Sequence, residues 1–204
     1  GCAVVGSLLG IVPAFRVLMG SVFDTVYIAS PIPEMTIAIG LDRLSAFFLV
    51  GIFCLSGLVG IYAIGYIKDQ PRLLSSLPFF PLLVAAMAAV VTARDGFFFL
   101  IVWEIMSLAS FFLVTTEHEI REVRHAGWIY LAATHLATAF LLAFFVLLFQ
   151  QTGSFSFEAF SSIGSIDPAR ASLLFLMATI GFGTKAGIFP LHLWLPHAHP
   201  AGLS

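Results

Sequence analysis

The 204-residue chain is too apolar to be a water-soluble protein. Of its residues, 60% are hydrophobic and 10% are charged, and the mean hydropathy is +1.04, whereas soluble domains contain about 25% charged residues. The formal net charge is −2 and basic residues form no run, which excludes nucleic-acid binding. Cys2 and Cys54 lie in apolar stretches without a neighbouring thiol, so a disulfide framework is not indicated either.

Six apolar stretches are long enough to cross a lipid bilayer. A membrane-spanning helix needs about 20 mainly apolar residues, because every backbone polar group must be paired internally where water is absent. The stretches cover residues 1–19, 44–67, 77–93, 97–115, 126–149 and 171–189. The first lacks the basic leading segment of a signal peptide and is counted as a span. The sequence therefore predicts an all-α polytopic membrane protein with the lipid bilayer as its solvent.

Turn-forming residues separate the predicted spans. They are Pro31 and Pro33 and the pairs or triplets at 69–71, 95–96, 152–154 and 167–168. The segments between spans are too short for a soluble domain, so residues 1–204 are predicted to be a single transmembrane domain. Because the chain starts at Gly1 rather than Met and stops within a proline-rich segment, we expect it to be a fragment of a longer membrane protein.

Three ionisable side chains lie within the predicted spans, where inserting a charge costs about 2.5 to 3.5 kcal/mol. They are Glu104, His135 and Lys185. One interpretation is a proton relay, because the protonation of such groups in a dry interior responds to small changes in hydration and pairing. The other is a static ion pair between Glu104 and Lys185, with His135 donating to a neighbouring carbonyl. Intramembrane charges are functional by default, which favours the relay.

Helix-breaking residues surround Lys185. Gly183, Gly187 and Pro190 indicate a helix interrupted at membrane depth, a device that exposes backbone groups to ions or water in transporters. A helix that simply ends at a proline before a loop explains the same pattern. His192 follows Lys185 by about two helical turns and would extend a proton path along one face if the helix continued.

The remaining histidines and acids do not form a metal motif. His192, His197 and His199 stand among prolines without a nearby carboxylate or thiol. Segment 117–127, EHEIREVRHAG, departs from HExxH, and its arginines favour a solvated interfacial helix. Phosphate-binding, nucleophile and iron–sulfur motifs are also missing from the sequence. We therefore predict no metal, cofactor or redox centre in this chain.

Three ordered segments resemble the antiporter-like, proton-conducting membrane subunits of complex I and its relatives. They are WEIMSLASFFLV from Trp103, HEIREVRHAGWIYLAATHLATAFLL from His118 and GTKAGIFPLHLWLPHAHPA from Gly183. Within this superfamily the chain is most similar to the group of hydrogenase-4 component B and formate hydrogenlyase subunit 3, over most of its length from about residue 41. Members usually read WLPDAHPAAPS where this chain reads WLPHAHPAGLS, so His197 replaces an acid.

The resemblance implies a larger fold with two inverted repeats. Residues 1–67 would be leading helices, and residues 77–204 would be an incomplete first repeat whose broken helix carries Lys185. By position, Glu104 and Lys185 correspond to the family's functional glutamate and lysine, and His135 to its histidine in the helix between them.

The same resemblance implies a function. The chain would belong to a proton-translocating subunit of a hydrogenase-type respiratory complex in the inner membrane of the cell. Other membrane subunits and a peripheral redox module with nickel–iron and iron–sulfur centres would be its partners, and that redox chemistry would drive protons through Glu104, Lys185, His135 and His192. An Mrp-type sodium/proton antiporter subunit is the alternative, and a purely structural membrane anchor is a third, weaker hypothesis.

Overall fold

Helices dominate the structure, a computed structural model that describes residues 2–29, 36–66 and 76–201. Within these ranges the chain forms helices and one antiparallel hairpin. In chain order the elements are α1 (Cys2–Leu18), β1 (Val26–Ala29), β2 (Thr36–Ile39), α2 (Arg43–Tyr66), α3 (Phe79–Thr92), α4 (Gly96–Val114), α5 (Arg121–Thr152), α6 (Phe157–Ser161), α7 (Pro168–Ala186) and α8 (Leu195–Ala201).

The six predicted apolar stretches correspond to α1, α2, α3, α4, α5 and α7. The largest difference is in α5, which begins at Arg121 rather than at residue 126, because the charged segment before it joins the same helix. Among the described residues, α2, α4 and α5 are long and apolar enough to cross a membrane, and α1 and α3 are shorter apolar helices. The chain is thus a mostly helical, multi-pass protein, while the count of six spans stays a prediction.

The all-α prediction missed the β-hairpin between α1 and α2. In this hairpin Val26 lies opposite Ile39, and Ala29 lies opposite Thr36. Both strands are rich in residues that favour extended backbone, but four residues are too few to show an alternating pattern within an apolar sequence. The turns predicted at Pro31 and Pro33 and at 69–71 lie outside the described residues.

The other predicted turns begin or end helices. Asp95 caps α4, since its carboxylate accepts the Phe98 N–H at 2.7 Å, and Asp167 caps α7 with Pro168 in the first turn. Gly153 ends α5 with φ 69°, a left-handed conformation that glycine adopts without steric cost.

Asp95 also ties the hairpin to the helices. The residue is only 3% exposed, and its second carboxylate oxygen accepts the Ala38 N–H of β2 at 2.8 Å. Main-chain hydrogen bonds run from Arg94 N–H to the Ala38 carbonyl and from Phe157 N–H to the Arg94 carbonyl. The start of α4 is therefore bonded both to β2 and to the start of α6.

Arg94 adds an ion pair to this junction. Its guanidinium lies 3.0 Å from the carboxylate of Asp42, just before α2. Partial burial raises the pKa of the Asp42 carboxyl, but the Ser45 N–H and the Arg94 guanidinium lower it by more, so that the pKa lies below its usual range. The Asp42 side chain is 58% exposed, so the main role of the pair is to orient the start of α2 rather than to add stability.

Two clusters of buried side chains hold the helices together. The first lies among α4, α5 and α7 and comprises Leu100, Trp103, Leu141, Phe145, Leu148 and Leu174. The second lies between α1 and α2 and comprises Ala14, Val17, Ala46 and Leu49. Because lipid is as apolar as these side chains, close packing rather than the hydrophobic effect stabilises such contacts in a membrane.

Gly181 allows α7 to approach α5 closely. A Cβ at this position would lie 2.5 Å from Cδ2 of Leu141, which is 0% exposed and has no space to move. We expect Gly181→Ala to lower the free energy of unfolding by about 1 to 3 kcal/mol, measured by thermal unfolding of the full-length protein in detergent. In the control Gly51→Ala on α2, the new Cβ meets nothing within 4 Å, and the stability should stay equal or rise by up to about 1 kcal/mol. Equal losses in both variants would contradict this account.

Candidate functional site

Lys185 lies in the last turn of α7 and is held by two hydroxyl groups. Its Nζ donates to Oγ of Ser107 on α4 at 3.0 Å and to the hydroxyl of Tyr130 on α5 at 3.0 Å. The site therefore joins α4, α5 and α7, the helices that also share the larger buried cluster.

Aromatic rings surround the ammonium group. Nζ lies 5.9 Å from the centre of the Trp103 ring and 5.3 Å from that of Tyr130, distances at which a ring face attracts a cation. Trp194, which follows α7, packs edge-on against Tyr130 at 5.2 Å and donates its Nε1–H to the Thr184 carbonyl at 2.7 Å. These contacts fix the Tyr130 ring next to the end of α7.

Glu104 pairs with His135 rather than with Lys185. Nε2 of His135 lies 3.5 Å from Oε2 of Glu104, and the side chains are 50% and 28% exposed, respectively. Within the described part of the chain, Glu104 and Lys185 form no ion pair. The direct pairing expected from the sequence is thus not present in this conformation, because Lys185 points to neutral hydroxyls instead.

The geometry of His135 allows the pair to share a proton. Nδ1 of His135 lies 3.0 Å from the carbonyl oxygen of Leu131 and so carries a hydrogen that it donates to that oxygen. Nε2 can then face a carboxylate oxygen favourably only if the imidazole or the carboxyl group carries a second proton. A proton between Nε2 and Oε2 would therefore join Glu104 and His135 by a hydrogen bond.

Two buried polar atoms near the Glu104–His135 pair lack hydrogen-bond partners among the described residues. Oε1 of Glu104 and Nε1 of Trp103 are buried without a hydrogen-bond partner among the described residues. Leaving a buried polar atom unpaired costs about 1 to 3 kcal/mol, so water or a polar group is expected at these atoms. Glu104 and Ser107, the α4 partner of Lys185, are one helical turn apart, which places the Glu104–His135 pair and the lysine close together.

The helix that carries Lys185 ends immediately after it. Gly187 has φ 72° and caps α7, and the Ile188 N–H bonds to the Gly183 carbonyl at 2.9 Å. Residues 187–194, including Pro190, are not helical, and α8 follows from Leu195. The chain thus has two helical pieces around a break next to Lys185. That both pieces form one interrupted membrane span stays a prediction.

His192 lies in this break, so the continued helix that would align it with Lys185 is not present. Its ring packs against Phe189 at 5.5 Å, and its Nδ1 is buried without a partner among the described residues. It is therefore near the end of α7 but is not aligned with Lys185 on a helical face.

The other histidines do not create a metal centre in the described residues. No group of three or more His, Cys, Asp and Glu side chains lies close enough there to hold an ion. The rings of His125 and His197 lie 6.3 Å apart. In segment 117–127, Arg124 donates to the His118 and Glu119 carbonyls rather than pairing with the acids, which keeps the segment at the exposed start of α5.

Ser107 and Tyr130 were missed by sequence reasoning. Neither carries a charge, and hydroxyl side chains are common in membrane helices, where most bond to their own backbone. The spacing of Ser107 from Glu104 was the only available signal, and it identifies a shared helix face rather than a lysine partner.

Comparison with known families identifies the family to which the chain belongs. A family described as NADH:quinone oxidoreductase/Mrp antiporter, transmembrane, matches residues 93–202, which include α4, α5 and α7. The chain belongs to the NADH:quinone oxidoreductase/Mrp antiporter family. Residues 31–75 also match the N-terminal family of complex I chain 5.

Several members of the NADH:quinone oxidoreductase/Mrp antiporter family resemble the chain over most of its length. Hydrogenase-4 component B of Escherichia coli is 32% identical over 99% of this chain and 30% of that protein. One Na⁺/H⁺ antiporter subunit of Alkalihalophilus pseudofirmus is 31% identical over 78% of this chain and 20% of that protein. The chain thus spans less than a third of the length of these relatives.

A solved structure shows the same fold. It is a chain of the membrane-bound sulfane sulfur reductase, an archaeal respiratory membrane complex, with a TM-score of 0.83 and 20% identity. The match covers 98% of this chain and 42% of that one. The family model and the 32%-identical relative confirm the family predicted from the three sequence segments, and this structure shows that the fold is shared.

Proposed function

We propose that this chain is part of a proton-translocating subunit of a hydrogenase-type, complex I-related respiratory complex. The observation that carries the proposal is that the Glu104–His135 pair joins α4 and α5, while Lys185 on α7 bonds to hydroxyls on the same two helices. A protein that needed only to anchor an enzyme would gain nothing from such charges in membrane helices, where they are costly. The similarity to hydrogenase-4 component B supports a hydrogenase-type complex.

In the proposed architecture, the chain crosses the inner (cytoplasmic) membrane six times. Residues 1–67 form leading helices, and residues 77–204 form most of the first of two inverted repeats, with α7 and α8 as the halves of its broken helix. Other membrane subunits and a peripheral redox module are its partners. Nickel–iron and iron–sulfur centres in that module supply the redox energy.

In the proposed mechanism, Lys185 switches between two sets of partners. In one state it bonds to Ser107 and Tyr130, as observed, while Glu104 shares a proton with His135. In the other state Lys185 turns toward Glu104, which is one turn of α4 away from Ser107, and forms the ion pair expected from the sequence. Because an ion pair favours the charged forms of both groups, its formation releases the shared proton and its opening allows Lys185 to pass a proton onward.

His192 extends this path in the proposal. The break after α7 exposes backbone groups next to Lys185, and the buried Nδ1 of His192 has no partner in the described part of the chain. A water molecule at this nitrogen would connect the lysine to the far side of the break.

A second candidate function is a sodium/proton antiporter subunit of the Mrp type. The similarity to the Na⁺/H⁺ antiporter subunit of A. pseudofirmus favours it. The same buried groups would then exchange protons for sodium without redox energy.

One experiment separates the two functions. The full-length protein is purified gently from its native membrane, co-purifying subunits are identified by mass spectrometry, and proton flux is followed in vesicles. Nickel–iron and iron–sulfur subunits, together with proton flux that requires a redox substrate but not sodium, are expected. Sodium-dependent proton flux without any redox substrate would overturn the first proposal and support the antiporter.

A further inference from the structure

We propose that the Tyr130 hydroxyl is a positioning group that holds Lys185 in both of its protonation states. The inference rests on the proton-translocating role proposed above for Lys185. It adds a residue that positions the Lys185 side chain. Tyr130 is 3% exposed, and its hydroxyl oxygen lies 3.0 Å from Nζ of Lys185.

The contacts of Lys185 suit a group that exchanges a proton. In the described part of the chain, no carboxylate lies within 4.0 Å of Nζ, and its polar contacts are the two hydroxyls. A carboxylate would bind only the ammonium form. A hydroxyl can accept a hydrogen bond from an ammonium group and can donate one to a neutral amine.

The two hydroxyls are not equivalent. Ser107 donates its hydrogen to the Trp103 carbonyl at 3.0 Å, so its oxygen is free only to accept from Lys185. The hydroxyl hydrogen of Tyr130 has no such acceptor among the described residues. Tyr130 therefore accepts while Lys185 is an ammonium group and can turn its hydrogen to Nζ when Lys185 is neutral. Tyrosine keeps its own proton in both states, and only the direction of the hydrogen bond reverses.

The position of the Tyr130 ring supports this role. Trp194 packs against the ring at 5.2 Å and is itself bonded to the carbonyl of Thr184, the residue before Lys185. These contacts hold the hydroxyl in place relative to the end of α7. Its hydrogen bond to Nζ therefore costs less side-chain conformational entropy than a bond from a mobile side chain would.

Two variants test the proposal in the full-length protein within its complex. Tyr130→Phe removes the hydroxyl but keeps the ring that faces Trp194 and Lys185. We expect it to slow proton translocation by about tenfold. The neutral amine of Lys185 loses its hydrogen-bond donor, and the ammonium form loses an acceptor. Ser107→Ala removes only an acceptor, and we expect a loss of about twofold. Equal losses in the two variants, or none in Tyr130→Phe, would overturn the proposal.

Infrared spectroscopy provides a readout that a merely structural role would not change. The C–O stretching band of a tyrosine depends on whether its hydroxyl donates or accepts a hydrogen bond. In difference spectra between the protonated and deprotonated protein, we expect a tyrosine band in the wild type and in Ser107→Ala, and its loss in Tyr130→Phe and Lys185→Ala. A band that persists in Tyr130→Phe refutes the assignment.

The outcome for Lys185→Ala distinguishes this inference from the proposed function. If this variant translocates protons at the wild-type rate, the proposed function fails and the role of Tyr130 fails with it. If it is inactive but the wild type shows no tyrosine band, the proposed function stands and only the inference about Tyr130 is wrong.

Discussion

Replacing Lys185 by alanine is expected to reduce proton translocation by about a hundredfold or more, the usual effect of removing a group that transfers a proton. The substitution removes the ammonium group that joins α7 to α4 and α5, and it leaves Ser107 and Tyr130 without their shared donor. The measurement is the initial rate of proton uptake into vesicles that contain the complete complex, driven by its redox substrate.

The matched control is Arg170→Ala. Arg170 is a second cation on α7, but it lies exposed in the first turn, far from the break. We expect this variant to insert and to translocate protons at the wild-type rate. Wild-type rates in Lys185→Ala would refute the relay and would leave the site as a packing device.

Replacing Asp95 by alanine is expected to cause the largest loss of stability, about 3 to 4 kcal/mol. The substitution removes hydrogen bonds from a carboxylate to the N–H groups of Ala38 and Phe98, at 2.8 and 2.7 Å. Bonds to a charged group contribute about 1.5 to 3 kcal/mol each, and the buried Ala38 N–H would be left without a partner. Thermal unfolding of the full-length protein in detergent measures the effect.

Asp167→Ala is the control, because Asp167 also caps a helix but is exposed and bonds only within its own turn. The expected loss is about 1 kcal/mol, as for an ordinary helix cap. A loss in Asp95→Ala no greater than that in Asp167→Ala would show that the hairpin does not depend on the buried carboxylate.

The helices could be predicted from the sequence because their signals are long. Runs of about 20 apolar residues stand out from the charged and turn-forming segments between them, and Asp95, Gly153 and Asp167 mark helix ends with residues of specific chemistry. The hairpin could not be predicted in this way. Its strands are only four residues long, and its bond to Asp95, 57 residues from Ala38 along the chain, leaves no local pattern.

Only the ionisable residues of the candidate site could be predicted from the sequence. Glu104, His135 and Lys185 are conspicuous because membrane insertion makes charges expensive. Their partners depend on side-chain directions and helix contacts, which the sequence does not contain. The sequence therefore favoured opposite charges as partners, whereas the structure pairs Lys185 with the hydroxyls of Ser107 and Tyr130.

The hairpin junction gives the bundle one stiff end. Near Asp95 the start of α4 is bonded to β2 and to the start of α6, and a rise of about 1.5 Å per residue along α4 places Ser107 about 18 Å from that junction. The break after Lys185 therefore lies far from the end of the bundle that the junction holds together. A shift of the residues that follow α7 can therefore change the surroundings of the lysine while the bonds at the junction stay intact.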